Sequence, residues 1–165
     1  MAGVSAATFY VTAYVLTSLT AFGVVVVLSH GSLEAEEIGT VRGMAWTHPW
    51  LTVVLTTALL SLAGIPVTIG FVGKFTILAA GVASNLWLLV ILMVINTGIS
   101  LYYYLRVVAV MFAQPAQYPD VPASVPKLTL LGGVILSVLV SSLLLLGMYP
   151  SPIYQAIRQT IMVLR

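Results

Sequence analysis

The sequence predicts an all-α integral membrane protein with four transmembrane helices, the second long and discontinuous, followed by a C-terminal amphipathic helix. Of its 165 residues, 61% are hydrophobic and 6% are charged, whereas soluble domains are about 25% charged. The mean hydropathy is +1.14. This composition excludes a soluble globular enzyme, a disordered chain and a nucleic-acid-binding domain. The sequence contains no cysteine, which excludes disulfides and thiolate metal sites.

The first predicted span covers residues 6–29 and contains no charged residue. It is not typical of a signal peptide, because no basic segment precedes it and no small-residue cleavage site follows it. A polar loop over 30–48 follows, with Trp46 and Trp50 at its end, as expected of residues at a membrane interface. This loop contains three of the four acidic residues, namely Glu34, Glu36 and Glu37.

The second predicted span, 50–83, is too long for one straight transmembrane helix. Its 34 residues contain one charge, Lys74. A continuous helix of that length would measure about 51 Å, and the hydrocarbon core is about 30 Å thick. The segment Gly64–Pro66 predicts a break, because its glycine leaves helical geometry easily and its proline lacks an N–H and clashes with the Leu62 carbonyl. A simple proline kink is the alternative.

The third and fourth predicted spans cover 86–112 and 128–148, and a short amphipathic helix over 153–164 is expected to lie on the membrane surface. An even number of spans places both termini on one side. The positive charges favour cytoplasmic loops over 30–48 and 113–127 and external termini. These charges are Arg42, Arg106 and Lys127 against Arg158 and Arg165.

Lys74 is the strongest candidate for a functional residue. A charged side chain inside a membrane span is costly and indicates a functional site by default. No predicted span contains an acid or a histidine, so Lys74 is expected to be neutral, hydrated or paired with another polypeptide. Burial disfavours the charged form of a lysine, which suits a group that accepts and releases a proton. The alternative is a lysine that extends to the membrane interface.

A polar line on the third predicted span consists of Asn96, Ser100 and either Tyr103 or Tyr104. Spacings of four and three residues place these side chains on one helix face. Such a face suits a hydrated path or hydrogen bonds to neighbouring helices. The two histidines, His30 and His48, lack the spacing of metal ligands, so no metal site is predicted.

Two sequence runs in particular resemble a known family. The run over 61–75, SLAGIPVTIGFVGKF, is similar to the broken helix of the antiporter-like membrane subunits of respiratory complex I, the NADH:quinone oxidoreductase. The run over 100–108, SLYYYLRVV, is similar to the end of the helix that follows. The segments 14–17, 21–24 and 34–36 resemble the preceding helix and loop. Within the family, the resemblance is strongest to subunit N.

The resemblance implies a membrane-arm subunit that contributes to proton translocation coupled to quinone reduction. It implies that Lys74 is a proton relay and that the break at Gly64 and Pro66 admits water and polar groups. The polar path would be supported by Asn96, Ser100 and Tyr103.

The resemblance also implies partners and a location. The chain itself would hold no cofactor, while NAD, FMN, iron–sulfur clusters and quinone would belong to other subunits. Its partners would be other complex I membrane subunits, the N-terminal helices of the same subunit and the lipid bilayer, with no nucleic acid. The location would be the bacterial inner membrane, as a multi-pass protein. Because family members have about fourteen spans, the chain is expected to be a C-terminal fragment.

Two further functions remain open from the sequence. The first is a cation/proton antiporter subunit, or a hydrogenase membrane-arm subunit of the same family. The second is a non-transporting scaffold fragment that keeps the helices without the proton chemistry.

Overall fold

A computed structural model of the chain describes residues 2–29, 41–114, 129–152, 155–157 and 159. Within these ranges the regular secondary structure is entirely helical, which confirms the predicted all-α class. The helices are α1 (Ala2–Ser29), α2 (Met44–Thr47), α3 (Pro49–Ala63), α4 (Ile69–Ala83), α5 (Trp87–Phe112) and α6 (Leu130–Met148).

Three of these helices are long and apolar enough to cross a membrane. They are α1, α5 and α6, with membrane-spanning candidates of 27, 26 and 19 residues. Helices α3 and α4 have 15 residues each, or about 22 Å each at 1.5 Å per residue. The predicted second span is therefore a pair of shorter helices.

The interruption between α3 and α4 begins at Gly64, the glycine that the sequence predicts. Helix α3 ends in a Schellman motif, in which Gly64 has the left-handed angles φ 84° and ψ 40°. The Gly64 N–H donates to the Ser61 carbonyl at 3.0 Å, and the Ile65 N–H donates to the Leu60 carbonyl at 3.0 Å. We use "the break" for residues 64–68, two residues longer than the sequence predicts.

The break ends at Thr68, which caps the start of α4. Its hydroxyl accepts from the Phe71 N–H at 3.4 Å. One residue earlier, Val67 has φ 79°, a left-handed conformation uncommon for a β-branched residue. Helix α6 packs directly on this segment at Gly147, where a Cβ would lie 2.5 Å from the Thr68 carbonyl carbon. Helix α6 thus covers the backbone of the break, while the side chains of Pro66 and Val67 are exposed.

Two apolar clusters surround the α3–α4 pair. The first joins α1, α2, α3, α5 and α6 and consists of Val24, Met44, Leu51, Val54, Leu55, Leu59, Met111, Leu136 and Val140. The second joins α1, α3, α4 and α6 and consists of Phe9, Ala13, Ala58, Ile69 and Leu143. The core therefore holds both halves of the discontinuous segment against α1 and α6.

The structure corrects one boundary and leaves another prediction open. The predicted loop over 30–48 is not a loop to its end, because α2 forms within it and buries Met44 in the first cluster. Most of the predicted surface helix over 153–164 lies outside the described residues, although Ile157 packs against the second cluster. The four acidic residues also lie outside the described ranges.

Candidate functional site

The Lys74 side chain reaches from α4 to the end of α3. Its Nζ donates to the Leu62 carbonyl at 2.8 Å and to the Ala63 carbonyl at 3.1 Å. The aliphatic part passes so close to Gly64 that a Cβ there would lie 2.8 Å from Lys74 Cδ. The amine thus bonds the helix before the break and is not directed along α4 to a membrane interface.

The geometry of the break explains why these two carbonyls are free. In a continuous helix the Leu62 carbonyl would accept from the N–H of residue 66, but Pro66 has none. The Schellman motif satisfies the carbonyls of Leu60 and Ser61, and the next two carbonyls are left for Lys74. The break therefore creates two acceptors where the lysine needs them.

These acceptors also supply partial negative charge. The C-terminal carbonyls of a helix carry together about half an elementary charge. The sequence predicts a Lys74 that is neutral, hydrated or paired with another polypeptide. The structure adds a fourth arrangement, in which the amine is held by backbone carbonyls of its own chain.

Lys74 lines a cavity of about 160 Å³ between α1, α3, α4 and α5. This volume is large enough for several water molecules, and polar groups in its wall can bind them. The wall contains Tyr10, Ala13, Tyr14, Thr17, Ser61, Leu62, Gly70, Lys74, Met93, Asn96, Thr97, Ser100, Tyr103 and Tyr104.

The predicted polar line of α5 lies in the wall of this cavity. Asn96, Ser100 and Tyr103 all line it together with Lys74. The Ser100 hydroxyl donates to the Asn96 backbone carbonyl at 2.6 Å and accepts from the Tyr103 hydroxyl at 3.4 Å. Tyr104 lines it too, with its ring centroid 4.5 Å from that of Tyr103. The structure brings the predicted residues together, and their part in proton transfer stays a prediction.

The α1 wall of the cavity was not predicted. It is formed by Tyr10, Tyr14 and Thr17, with Ser61 of α3 beside them. The residues at 10, 14 and 17 have the same spacing of four and three that marks the polar line on α5. The sequence contains this spacing, but the other threonines of α1 make one polar face hard to distinguish from the rest of the helix.

No metal centre is found in the part of the chain that the structure describes, where no three His, Cys, Asp or Glu residues form a group. His48 lies between α2 and α3, and its Nδ1 is 2.9 Å from the Thr47 hydroxyl. His30, the other histidine weighed as a ligand, lies outside the described residues. The wall of the cavity itself presents amine, hydroxyl, amide and carbonyl groups.

Comparison with known proteins finds a family whose sequence model matches this chain. A family model described as NADH:quinone oxidoreductase/Mrp antiporter, transmembrane, matches residues 1–100. The match includes the break and Lys74 and extends to Ser100 on α5.

Several curated relatives carry the name NADH-quinone oxidoreductase subunit N. The one from Methylococcus capsulatus is 45% identical over 148 residues, covering 90% of this chain and 29% of the relative. The one from Acinetobacter baumannii is 40% identical over 154 residues, covering 92% of this chain and 31% of the relative. The one from Chromohalobacter salexigens is 42% identical over 154 residues, covering 92% of this chain and 32% of the relative.

This chain therefore spans about a third of the length of these relatives. The break, the lysine and the polar line, inferred first from the sequence, lie in a chain that the family model matches over its first 100 residues. The chain belongs to the NADH:quinone oxidoreductase/Mrp antiporter family of membrane proteins.

Proposed function

We propose that this chain is a membrane-arm subunit of an NADH:quinone oxidoreductase and contributes to proton translocation coupled to quinone reduction. Lys74 is the proton relay of this proposal. The observation that carries it is the position of the Lys74 amine, held by two free backbone carbonyls at a helix break and lining a polar cavity. The names of the relatives support the assembly.

The hydrogen-bond acceptors of the Lys74 amine suit a group that must release its proton. A carboxylate partner would stabilise the ammonium by a full opposite charge, whereas helix carbonyls offer only partial charge. An ammonium has three N–H donors, and two of them are used by Leu62 and Ala63. The third is available to a water in the cavity.

The polar line on α5 extends the proposed path away from Lys74. Hydroxyl groups both donate and accept hydrogen bonds, so Ser100 and Tyr103 can hold an ordered water and pass a proton along it. Asn96 adds an amide that orients water without itself changing charge. The break at Gly64 and Pro66 serves this path by admitting polar groups to membrane depth.

The proposed membrane arrangement has four crossings: α1, the α3–α4 pair, α5 and α6. The 30 helical residues of the pair would measure about 45 Å end to end, sufficient for the hydrocarbon core of about 30 Å. We place the chain in the bacterial inner membrane, with the segments before α3 and after α5 on the cytoplasmic side.

The redox groups belong, in this proposal, to partner subunits. Iron–sulfur clusters are held by cysteine thiolates, and this sequence contains none. NAD, FMN, iron–sulfur clusters and quinone would be bound elsewhere in the assembly. Other membrane subunits and further helices of the same subunit would pack beside this chain.

The test is Lys74→Ala in membrane vesicles that contain the assembled enzyme, with proton uptake divided by NADH oxidised as the readout. We expect proton uptake to be lost. Lys74→Arg should fail as well, because a guanidinium stays protonated at neutral pH. Thr76→Ala is the matched control on α4, since its hydroxyl bonds only the Gly73 carbonyl among the contacts described. A Lys74→Ala enzyme with the parental ratio would rule out the relay.

A cation/proton antiporter subunit is the second candidate. The family description names the Mrp antiporter as well, and carbonyls at the end of a half-helix also coordinate Na⁺ in transporters. The two functions differ in their driving force. Proton movement driven by NADH oxidation supports the first, and proton movement driven by an imposed Na⁺ gradient without NADH supports the second.

A further inference from the structure

A chain of hydrogen bonds joins α4, α3 and α1 beside the lysine. The Gly70 N–H donates to Ser61 Oγ at 3.2 Å, and Ser61 Oγ lies 3.2 Å from Thr17 Oγ1. Thr17 Oγ1 donates to the Ala13 carbonyl at 2.7 Å. We call this set, from the Gly70 N–H to the Ala13 carbonyl, the hydroxyl chain. Both hydroxyl side chains are buried, with 1% of Thr17 and 0% of Ser61 exposed.

The direction of each bond follows from the number of protons. A hydroxyl carries one proton, and that of Thr17 is used by the Ala13 carbonyl. Ser61 must therefore donate to Thr17, and it accepts from Gly70 on its other side. The hydroxyl chain has a single direction, from α4 through α3 to α1, and every donor in it has an acceptor.

The hydroxyl chain acts where α4 crosses the end of α3. Ser61 immediately precedes Leu62, the first carbonyl that holds Lys74. Gly70 lies one helical turn before Lys74, on the same face of α4. A Cβ at Gly70 would lie 2.7 Å from the Ser61 carbonyl carbon. The two helices are therefore in backbone contact one turn from the lysine, and the hydroxyl chain holds that contact.

This link matters because the break lacks the continuous hydrogen bonding of a helix. Ser61 satisfies the Gly70 N–H, one of the N-terminal donors that α4 cannot satisfy itself. Thr12 offers a comparison on α1, since its hydroxyl donates to the Thr8 carbonyl at 2.9 Å on an exposed face. Thr17 makes the same kind of bond within α1 and, in addition, the bond to Ser61.

We propose that Thr17 and Ser61 are positioning residues for Lys74. By fixing the start of α4 against the end of α3, the hydroxyl chain holds the Lys74 amine within reach of its two carbonyls. This inference rests on the proposed function, in which Lys74 relays protons. The hydrogen bonds described for the Lys74 amine go to the Leu62 and Ala63 carbonyls and not to either hydroxyl, so the proposed role of the hydroxyls is positional.

Thr17→Val tests the proposal, because valine keeps the shape and removes the hydroxyl. We expect proton uptake per NADH oxidised to fall about fivefold or more in vesicles containing the assembled enzyme. Thr17→Ser keeps the hydroxyl and should restore the parental ratio. Thr12→Val, the matched control, should leave the ratio unchanged. Ser61→Ala interrupts the same chain from α3 and should reproduce the loss.

The amount of assembled enzyme separates positioning from general stability. At equal amounts of assembled enzyme, Thr17→Val should still lower proton uptake per NADH oxidised, whereas Thr17→Ser should not. If Thr17→Val and Ser61→Ala both match Thr12→Val, the positioning role is wrong. It is equally wrong if uptake falls only in proportion to the amount of assembled enzyme. A Lys74→Ala enzyme that still pumps would overturn the proposed function instead, whatever the Thr17 variants do.

Discussion

At Gly70 the lack of a side chain allows the backbone of α4 to touch the backbone of α3. A Cβ at this position would overlap the Ser61 carbonyl and lie 2.9 Å from Ser61 Oγ. The contact sets the distance between the two halves of the discontinuous segment. A single added methyl group therefore acts on the geometry of Lys74 without touching the lysine.

We predict that Gly70→Ala destabilises the protein by about 1–3 kcal/mol, the usual cost of inserting atoms into a packed interior. Proton uptake per NADH oxidised should fall with it. Gly98→Ala on α5 is the control, because a Cβ there meets nothing within 4 Å and alanine favours a helix. Thermal unfolding of the solubilised enzyme measures the first effect. Equal melting temperatures for the two variants would contradict the close contact.

Residue chemistry decided which site residues could be predicted. Lys74 is a charge inside an apolar segment. Gly64 leaves helical geometry easily, and Pro66 beside it cannot donate the next helical hydrogen bond. Thr17 has no such local mark, because its bond within α1 resembles those of Thr8 and Thr12. Its second bond depends on the position of Ser61, 44 residues away. Tertiary contacts of this kind are not visible in local spacing.

At the scale of the element, two devices end α3. The Schellman motif at Gly64 satisfies two carbonyls, and Pro66 removes the donor that a continuing helix would present to Leu62. The sequence predicts both residues as parts of the break. It does not predict that the break continues to Thr68, because the capping role of that hydroxyl depends on where α4 begins.

We predict that Pro66→Ala weakens proton uptake without abolishing it, because the Gly64 motif still ends α3. The double variant Gly64→Ala with Pro66→Ala should abolish uptake. Alanine is disfavoured at φ 84°, and its Cβ would displace the Lys74 side chain. Proton uptake per NADH oxidised is again the measurement. Complete loss in Pro66→Ala alone would show that the proline, and not the glycine motif, sets the end of α3.

The short helix α2 is an element that sequence composition did not predict. The polar composition before residue 48 predicts a loop, yet Met44 is buried among residues of α1, α3, α5 and α6. The Gly43 N–H also donates to the Val110 carbonyl of α5 at 3.2 Å. These partners are distant in sequence, so composition alone could not indicate them.

At the scale of the whole molecule, the proposed four crossings make a prediction about sidedness. The sequence contains no cysteine, so single cysteines can be introduced into this chain without background. Thr47, Ser84 and Gln114 are exposed positions at helix ends. A membrane-impermeant maleimide should label Thr47→Cys and Gln114→Cys from the cytoplasmic side and Ser84→Cys from the opposite side.

This labelling separates the pair of short helices from a re-entrant segment. If α3 and α4 together cross the bilayer, Thr47 and Ser84 lie on opposite sides. Labelling of both from one side would mean that the pair enters and leaves the membrane by the same face. Permeabilised membranes provide the control, since all three cysteines should then react.

The backbone of Val67 has a strained conformation at the point where α6 packs on the break. It is 57% exposed and has φ 79°, a conformation that costs a residue with a Cβ about 1–2 kcal/mol. Such conformations persist only where the surrounding structure imposes them, and Gly147 of α6 packs against the Val67 carbonyl. Conformational energy is therefore stored seven residues before Lys74. We predict that a shift of α6 away from the break would let Val67 relax and would change the backbone of the segment that leads to Lys74.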